Sequence, residues 1–116
     1  DPYEKEYIKE KNILNMGIME VNDDLDNVLD RLDKFINGRD VHISFDIDIM
    51  DPAFISSTGT PEKNGVNMEQ MEKILLFLTK YNVISMDIVE LNPELGDLEK
   101  TKKNLFNLLD IFFNNL

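Results

Sequence analysis

The chain of 116 residues contains no cysteine, no tryptophan and only one histidine. The absence of cysteine excludes disulfide bonds, thiolate metal sites and cysteine nucleophiles from this chain. One histidine is too few for a histidine-rich metal centre built from these residues alone. Any chemistry that the sequence supports must therefore depend mainly on carboxylates.

Basic residues and long apolar runs are also scarce. The 12 Lys and Arg residues are outnumbered by 23 Asp and Glu residues, which gives a formal net charge of −11. A chain this acidic is not expected to bind nucleic acid or an anionic membrane surface through its overall charge. No apolar run reaches the length of about 18 residues that a membrane span needs, and no signal-like segment is present. These absences predict a soluble protein, and the cytoplasm is the expected location.

The composition, 42% hydrophobic and 30% charged, is typical of a globular domain. No internal repeat or Gly/Ser-rich linker divides the chain, so residues 1–116 are expected to belong to one domain. The first residue is Asp1 instead of Met. We therefore expect a processed product or a portion of a longer polypeptide.

Helical and strand patterns alternate along the chain. This alternation predicts an α/β fold in which βαβ units form a parallel sheet. Asn67 and Gln70 have the spacing of a helix capping box, and Gly38 is expected to end a helix in the left-handed conformation. In chain order, the pattern predicts a short helix through about residue 9, a strand at 13–19, a helix from 22–23 to 37, a strand at 41–45, a helix at 67–80, a strand at 83–89 and a helix from about residue 97.

Three acidic residues stand at the ends of two predicted strands. Asp46 and Asp48 follow one strand, and Glu90 follows the next. Ligands bind beyond the carboxyl ends of parallel strands, so these acids are expected on one rim of the sheet. Because side chains alternate along a strand, Asp46 and Asp48 are expected to point to the same side. The pattern favours a site for Mn²⁺ or Mg²⁺, or for a cationic substrate.

Three motifs surround these acids in a fixed order. They are Ser-Phe-Asp-Ile-Asp-Ile-Met-Asp-Pro-Ala-Phe at 44–54, Thr-Gly-Thr-Pro at 58–61 and Asp-Ile-Val-Glu-Leu-Asn-Pro-Glu-Leu-Gly at 87–96. Together they resemble the ureohydrolase family, and arginase in particular, over about residues 41–96. The resemblance implies a three-layer αβα fold with a parallel sheet. It also implies that this chain is the C-terminal portion of a single arginase-like domain, with only the C-terminal strands and helices.

The resemblance further implies a hydrolase with two Mn²⁺ ions that cleaves L-arginine to L-ornithine and urea. By residue match, Asp46 would bridge the two ions and Asp48 would chelate one of them. Glu90 would be the catalytic residue that binds the substrate guanidinium, and Thr60 would lie near that end of the substrate pocket. Arginase-like proteins are typically trimers or multiples of trimers, so a homotrimer or a multiple of it is expected.

The family's histidine-containing metal motifs and its proton-shuttle histidine are missing from this sequence. Asp46 and Asp48 supply about a third to a half of the protein ligands that two six-coordinate ions need. This chain alone is therefore expected to have an incomplete and inactive site. The rest of the arginase chain would be the partner that completes it.

Other polar residues near the motifs have structural interpretations that outweigh a ligand role. His42 is expected to be a buried, hydrogen-bonded structural histidine. Asp87 is expected to support neighbouring groups, and Asp51, which precedes a proline, to form a turn. Met68 and Met71 are expected to fill the core.

Several alternative functions compete with arginase. Agmatinase and other ureohydrolases share the Asp-x-Asp motif, and a non-catalytic assembly fragment would retain the acids only as vestiges. A phosphotransferase would use Asp46 as nucleophile, but the sequence lacks a small-residue turn after Asp48 and a downstream Asp pair. An EF-hand loop is disfavoured because the required glycine and final glutamate are missing.

Overall fold

The computed structural model describes residues 24–59 and 63–116. The helix predicted through residue 9 and the strand predicted at 13–19 lie outside these ranges. No described helix is both long and apolar enough to cross a membrane. The described elements are, in chain order, helix α1 (Leu25–Ile36), strand β1 (Val41–Asp46), a short 3-10 helix (Ile47–Ile49), helix α2 (Met68–Leu78), strand β2 (Val83–Val89) and helix α3 (Leu98–Asn114).

Strands β1 and β2 are adjacent and parallel, and helix α2 connects them. The register places His42 opposite Ser85 and Asp46 opposite Val89. Because parallel neighbours need a crossover connection, the intervening helix is the arrangement that the alternating sequence pattern predicts. The α/β class with a parallel sheet is confirmed, and the carboxyl ends of both strands lie at the same edge.

The ends of the first two described helices follow from local sequence. Helix α1 starts after Asp24, whose carboxylate accepts a hydrogen bond from the Asn27 N–H at 3.0 Å. It ends at Asn37 and Gly38, whose φ angles of 42° and 78° are left-handed, as predicted for Gly38.

Helix α2 starts with the predicted capping box. The Asn67 carboxamide oxygen accepts from the Gln70 N–H at 2.8 Å, and the Gln70 carboxamide oxygen accepts from the Asn67 N–H at 2.9 Å. The two bonds satisfy two of the backbone donors that a helix start leaves without a helical partner. The capping-box prediction is confirmed.

The hydrophobic core lies on the side of the sheet where the helices pack. Phe45 of β1 is buried there, and Ile43, Met86 and Ile88 pack against the same cluster. Met71 is buried and Met68 packs against the core, so the predicted role of both methionines is confirmed. The buried cluster consists of Val28, Ile36, Phe45, Ile47, Met50, Ile55, Val66, Met71, Leu75, Leu78, Leu105, Leu108 and Phe112.

The opposite sheet face carries exposed polar side chains, and it corrects the prediction for His42. The His42 side chain is 49% exposed, so the expectation of a buried histidine is wrong for this structure. The reason is that, within residues 24–59 and 63–116, the helices cover only the face that carries Phe45. The predicted hydrogen bonding is confirmed, because His42 Nδ1 lies 2.5 Å from Ser85 Oγ. Asp87 supports the same side chain, with its Oδ2 3.4 Å from His42 Nε2.

Candidate metal and substrate site

Asp46 and Asp48 lie together where β1 ends, but not for the reason that strand alternation suggested. The strand stops at Asp46, and the chain continues as the 3-10 helix. Residues three positions apart lie on the same face of a 3-10 helix. Ile47 and Met50 have this spacing, and both are fully buried. The Asp46 Oδ1 atom accepts a hydrogen bond from the Asp48 N–H at 3.1 Å. A tight turn, instead of a continuing strand, therefore brings these two acids close together.

The electrostatics of Asp46 indicate that three acids influence one another. Burial is the largest cause that raises the pKa of Asp46 above its ordinary value, and the nearby carboxylates of Asp48 and Glu90 raise it further. The hydrogen bond from the Asp48 N–H opposes this shift by lowering the pKa. Because like charges in one place disfavour ionisation, a bound cation would relieve the repulsion. The predicted acidic rim is therefore present at the carboxyl ends of β1 and β2.

Glu90 is the first residue beyond β2, and its backbone is in an unusual conformation. Its φ angle is 69°, in the left-handed region that residues with a Cβ atom rarely adopt. Such backbone conformations cluster at functional sites, where the surrounding structure maintains them. Two residues later, the Asn92 N–H donates to the Ser57 carbonyl at 2.8 Å. The sequence does not predict this backbone conformation, because position 90 is neither glycine nor asparagine.

The predicted substrate-pocket residue Thr60 lies outside the described residues. The two preceding polar residues, Ser57 and Thr58, are buried, with 0% and 2% of their surface exposed. Their hydroxyl oxygens have no hydrogen-bond partner in the part of the chain that the structure describes. The segment before Thr60 is thus packed against the body of the domain.

The donor set of Asp46 and Asp48 fits part of a site for a hard divalent cation. Carboxylate oxygens suit Mn²⁺ and Mg²⁺, and the mutual repulsion of these acids favours a cation between them. Among residues 24–59 and 63–116, however, no group of three or more His, Cys, Asp or Glu side chains is arranged to hold a metal ion. The Asp51 carboxylate accepts from the Ala53 N–H at 2.9 Å, which confirms its predicted role in a turn. The described residues therefore supply only some of the ligands that two ions would need.

Comparison with known proteins assigns the chain to a family. Residues 1–112 match the model of the Arginase family. This chain belongs to the Arginase family. Among similar proteins, an agmatinase from Escherichia coli O9:H4 (strain HS) is 32% identical over 97 residues, which cover 83% of this chain and 32% of that protein. The family resemblance predicted from the motifs is confirmed.

Solved arginase structures share the fold of this Arginase-family chain. The arginase of Entamoeba histolytica, crystallised with L-ornithine, is 34% identical with a TM-score of 0.79, and the match covers 97% of this chain and 39% of that one. The arginase of Bacillus caldovelox is 28% identical with a TM-score of 0.79 and the same coverage. The predicted arginase-like fold is confirmed. The chain spans about a third of the length of the agmatinase and about two fifths of the arginase chains.

Proposed function

We propose that this chain is the C-terminal portion of a ureohydrolase with two Mn²⁺ ions, and that the complete protein cleaves L-arginine to L-ornithine and urea. Asp46 and Asp48 would be metal ligands. Glu90 would bind the guanidinium group of the substrate, and Thr60 would contribute near that end of the pocket. The remaining metal ligands would come from the rest of the arginase chain.

One observation carries the proposal. In a chain of the Arginase family, Asp46 and Asp48 lie at the carboxyl end of β1, and Glu90 lies at the carboxyl end of the adjacent parallel strand, directly after Val89, the register partner of Asp46. This rim is the ligand-binding edge of α/β folds. A cluster of acids at that edge suits metal cations and a cationic substrate, and both are needed for this reaction.

Each acid has a distinct chemical task in the proposed reaction. The Glu90 carboxylate would accept charge-assisted hydrogen bonds from the planar guanidinium and so orient its central carbon. Asp46 and Asp48 would hold the metal pair. When bound, the metal pair supplies water activation near neutral pH, because it lowers the pKa of bound water. The net charge of −11 would also attract a cationic substrate.

Agmatine is the alternative substrate, because the chain is 32% identical to an agmatinase and 34% identical to an arginase. The two substrates share the guanidinium that Glu90 would bind, and they differ in the α-carboxylate that only arginine carries. The test is urea release by the complete, Mn²⁺-loaded protein with each compound. Urea release from L-arginine but not from agmatine is expected. Release from agmatine but not from L-arginine would change the proposed activity from arginase to agmatinase. A protein that releases urea from neither compound would overturn both the arginase and the agmatinase assignments, and would favour another ureohydrolase substrate or a non-catalytic assembly role.

The metal stoichiometry of the 116-residue chain tests whether it carries only part of the site. After saturation with Mn²⁺ and removal of excess metal, we expect close to zero tightly bound ions per chain. Asp46 and Asp48 alone offer too few ligands for two six-coordinate ions. Close to two bound ions per chain would overturn this part of the proposal and would mean that the chain contains further ligands.

We also propose that the complete protein is a cytoplasmic homotrimer or a multiple of one, as the family resemblance implies. Light scattering coupled to size-exclusion chromatography would measure the number of subunits. A monomer or a dimer would contradict the proposed assembly, and fractionation of the source cells would test the location.

A further inference from the structure

One buried hydroxyl joins the loop after β1 to the start of helix α3. Thr101 is fully buried, and its Oγ1 atom accepts hydrogen bonds from the Ser56 N–H at 3.1 Å and the Ser57 N–H at 3.2 Å. In the reverse direction, the Ser56 hydroxyl accepts from the Asp97 N–H at 2.9 Å. Asp97 caps α3 through a bond from the Lys100 N–H at 3.1 Å. The segment at 56–57 is therefore fixed to the helix start by three hydrogen bonds.

The same segment holds the loop that follows Glu90. The Ser57 carbonyl accepts from the Asn92 N–H at 2.8 Å. Gly96 packs so closely on Ser56 that an added Cβ atom would lie 2.4 Å from the Ser56 carbonyl oxygen. The loops after β1 and β2 thus contact each other backbone to backbone, and Thr101 lies beneath this contact.

Glu90 requires such support because its φ angle of 69° is unfavourable for a residue with a Cβ atom. A strained backbone conformation persists only where neighbouring contacts determine it. The hydrogen bond from the Asn92 N–H to the Ser57 carbonyl lies two residues beyond Glu90. It therefore holds the chain next to the residue whose left-handed backbone conformation must be maintained.

We infer that Thr101 is a positioning residue for Glu90: its hydroxyl fixes Ser56 and Ser57, and the Ser57 carbonyl then fixes Asn92 and the turn at Glu90. This inference rests on the proposed guanidinium-binding role of Glu90. Thr101 itself would contact neither substrate nor metal.

Three variants of the complete protein separate positioning from general stability. Thr101→Val keeps the shape of the side chain but removes the acceptor for two N–H groups. Thr101→Ser keeps the hydroxyl and loses only a methyl group. Ser57→Ala is the matched control, because the Ser57 hydroxyl is buried without a partner among the described residues, so its removal breaks no described hydrogen bond.

With the Mn²⁺-loaded protein and the better of L-arginine and agmatine, Thr101→Val is expected to lower kcat/KM by about 10- to 100-fold, because small displacements of an orienting group are costly. The loss should appear mainly as a raised KM, with unchanged Mn²⁺ content. Thr101→Ser and Ser57→Ala should stay within about twofold of the parent protein. An unchanged KM in Thr101→Val, or an equal loss in Thr101→Ser, would overturn the inference.

Amide hydrogen exchange measured by NMR tests the same coupling without turnover. In Thr101→Val, exchange should accelerate by at least about tenfold at Ser56, Ser57 and Asn92, because their hydrogen bonds open together. Acceleration confined to Ser56 and Ser57 would overturn the inference, since Asn92 would then be held independently. If the parent protein releases no urea from either compound, the proposed function fails, and the exchange result still decides whether Thr101 supports the Glu90 turn.

Discussion

The Asp46 carboxylate accepts a hydrogen bond of 3.1 Å from the backbone N–H of Asp48. This bond closes the turn with which the chain leaves β1 and enters the 3-10 helix. It places two acids side by side at the end of a strand whose neighbour delivers a third, Glu90. The turn is therefore the local feature on which the proposed metal site depends.

Replacement of Asp46 by alanine in the complete protein is expected to abolish turnover and to weaken Mn²⁺ binding by more than about 100-fold. Loss of a residue that binds the metal directly should lower the metal affinity at least as much as loss of a residue that only hydrogen-bonds to a ligand. Metal analysis and urea release provide the measurements. The control is Asp26→Ala, which removes an exposed acid of α1 that pairs with Lys73 on the surface. If Asp46→Ala retains both metal and turnover, Asp46 is not a metal ligand.

Glu90→Gln removes one negative charge and keeps the size of the side chain. We expect kcat/KM for the guanidinium substrate to fall by about 10- to 100-fold, since a hydrogen bond to a charged group contributes about 1.5–3 kcal/mol. The Mn²⁺ content should not change. Steady-state kinetics with parallel metal analysis would check this. An unaltered kcat/KM would argue against a contact between Glu90 and the substrate.

The backbone of Glu90 provides a stability prediction that is independent of activity. Glu90→Gly should unfold at a higher urea concentration than Glu90→Ala, with a difference of about 1 kcal/mol, because glycine adopts φ of 69° without a Cβ penalty. Alanine is the matched control, since both variants lack the carboxylate. Equal stabilities would mean that the left-handed conformation at position 90 costs little free energy.

Gly96→Ala is expected to destabilise the protein by at least about 2 kcal/mol. Position 96 combines a φ of 60° with an added Cβ atom only 2.4 Å from the Ser56 carbonyl oxygen, so the two loops would have to separate. Gly38→Ala is the control, because Gly38 has a φ of 78° but a Cβ there meets no described atom within 4 Å. Urea unfolding of both variants separates the steric effect of the Gly96–Ser56 contact from the effect of the positive φ angle. Equal losses of stability in the two variants would show that only the backbone conformation requires glycine at position 96.

Tyr81 is expected to ionise at unusually high pH. Partial burial, followed by the hydrogen bond from its hydroxyl to Asp33 and the charge of Asp33, raises the pKa of Tyr81 to about 12. Because the folded-state pKa exceeds the ordinary value of about 10, the stabilisation from this group is complete below about pH 10 and is lost as the pH rises toward 12.

An ultraviolet difference titration of the parent protein against Tyr81→Phe would report the pKa of this phenol. In Asp33→Asn, which keeps the size of the partner, the Tyr81 pKa should fall toward the ordinary value. A transition near pH 10 in the parent protein would contradict the prediction.

The secondary structure was largely predictable because local signals agree with the fold. The strand at 83–89 and the capping box of Asn67 and Gln70 have the predicted positions. Helix α1 starts two or three residues after the predicted start, since the carboxylate of Asp24 provides the cap. The left-handed ending at Gly38 was also predictable, because glycine accepts that conformation without steric cost.

The residues of the candidate site were predictable from the sequence, but their arrangement in space was not. Motif and strand position bring together Asp46, Asp48 and Glu90, and the structure places them at one rim. The exposure of His42 was not predictable, because it depends on which sheet face the helices cover. The contribution of Thr101 was hidden as well, since its partners Ser56 and Ser57 lie about 45 positions earlier in the chain.

The sequence by itself determined the alternation of strands and helices, their caps and the family to which the chain belongs, because periodicity, capping and motifs are properties of neighbouring residues. Only the tertiary structure decided the turn between Asp46 and Asp48, the left-handed backbone of Glu90 and the contact of Gly96 with Ser56. Those features arise where separate segments pack against each other, and the burial of Ile47, Met50 and Thr101 determines how the backbone must bend.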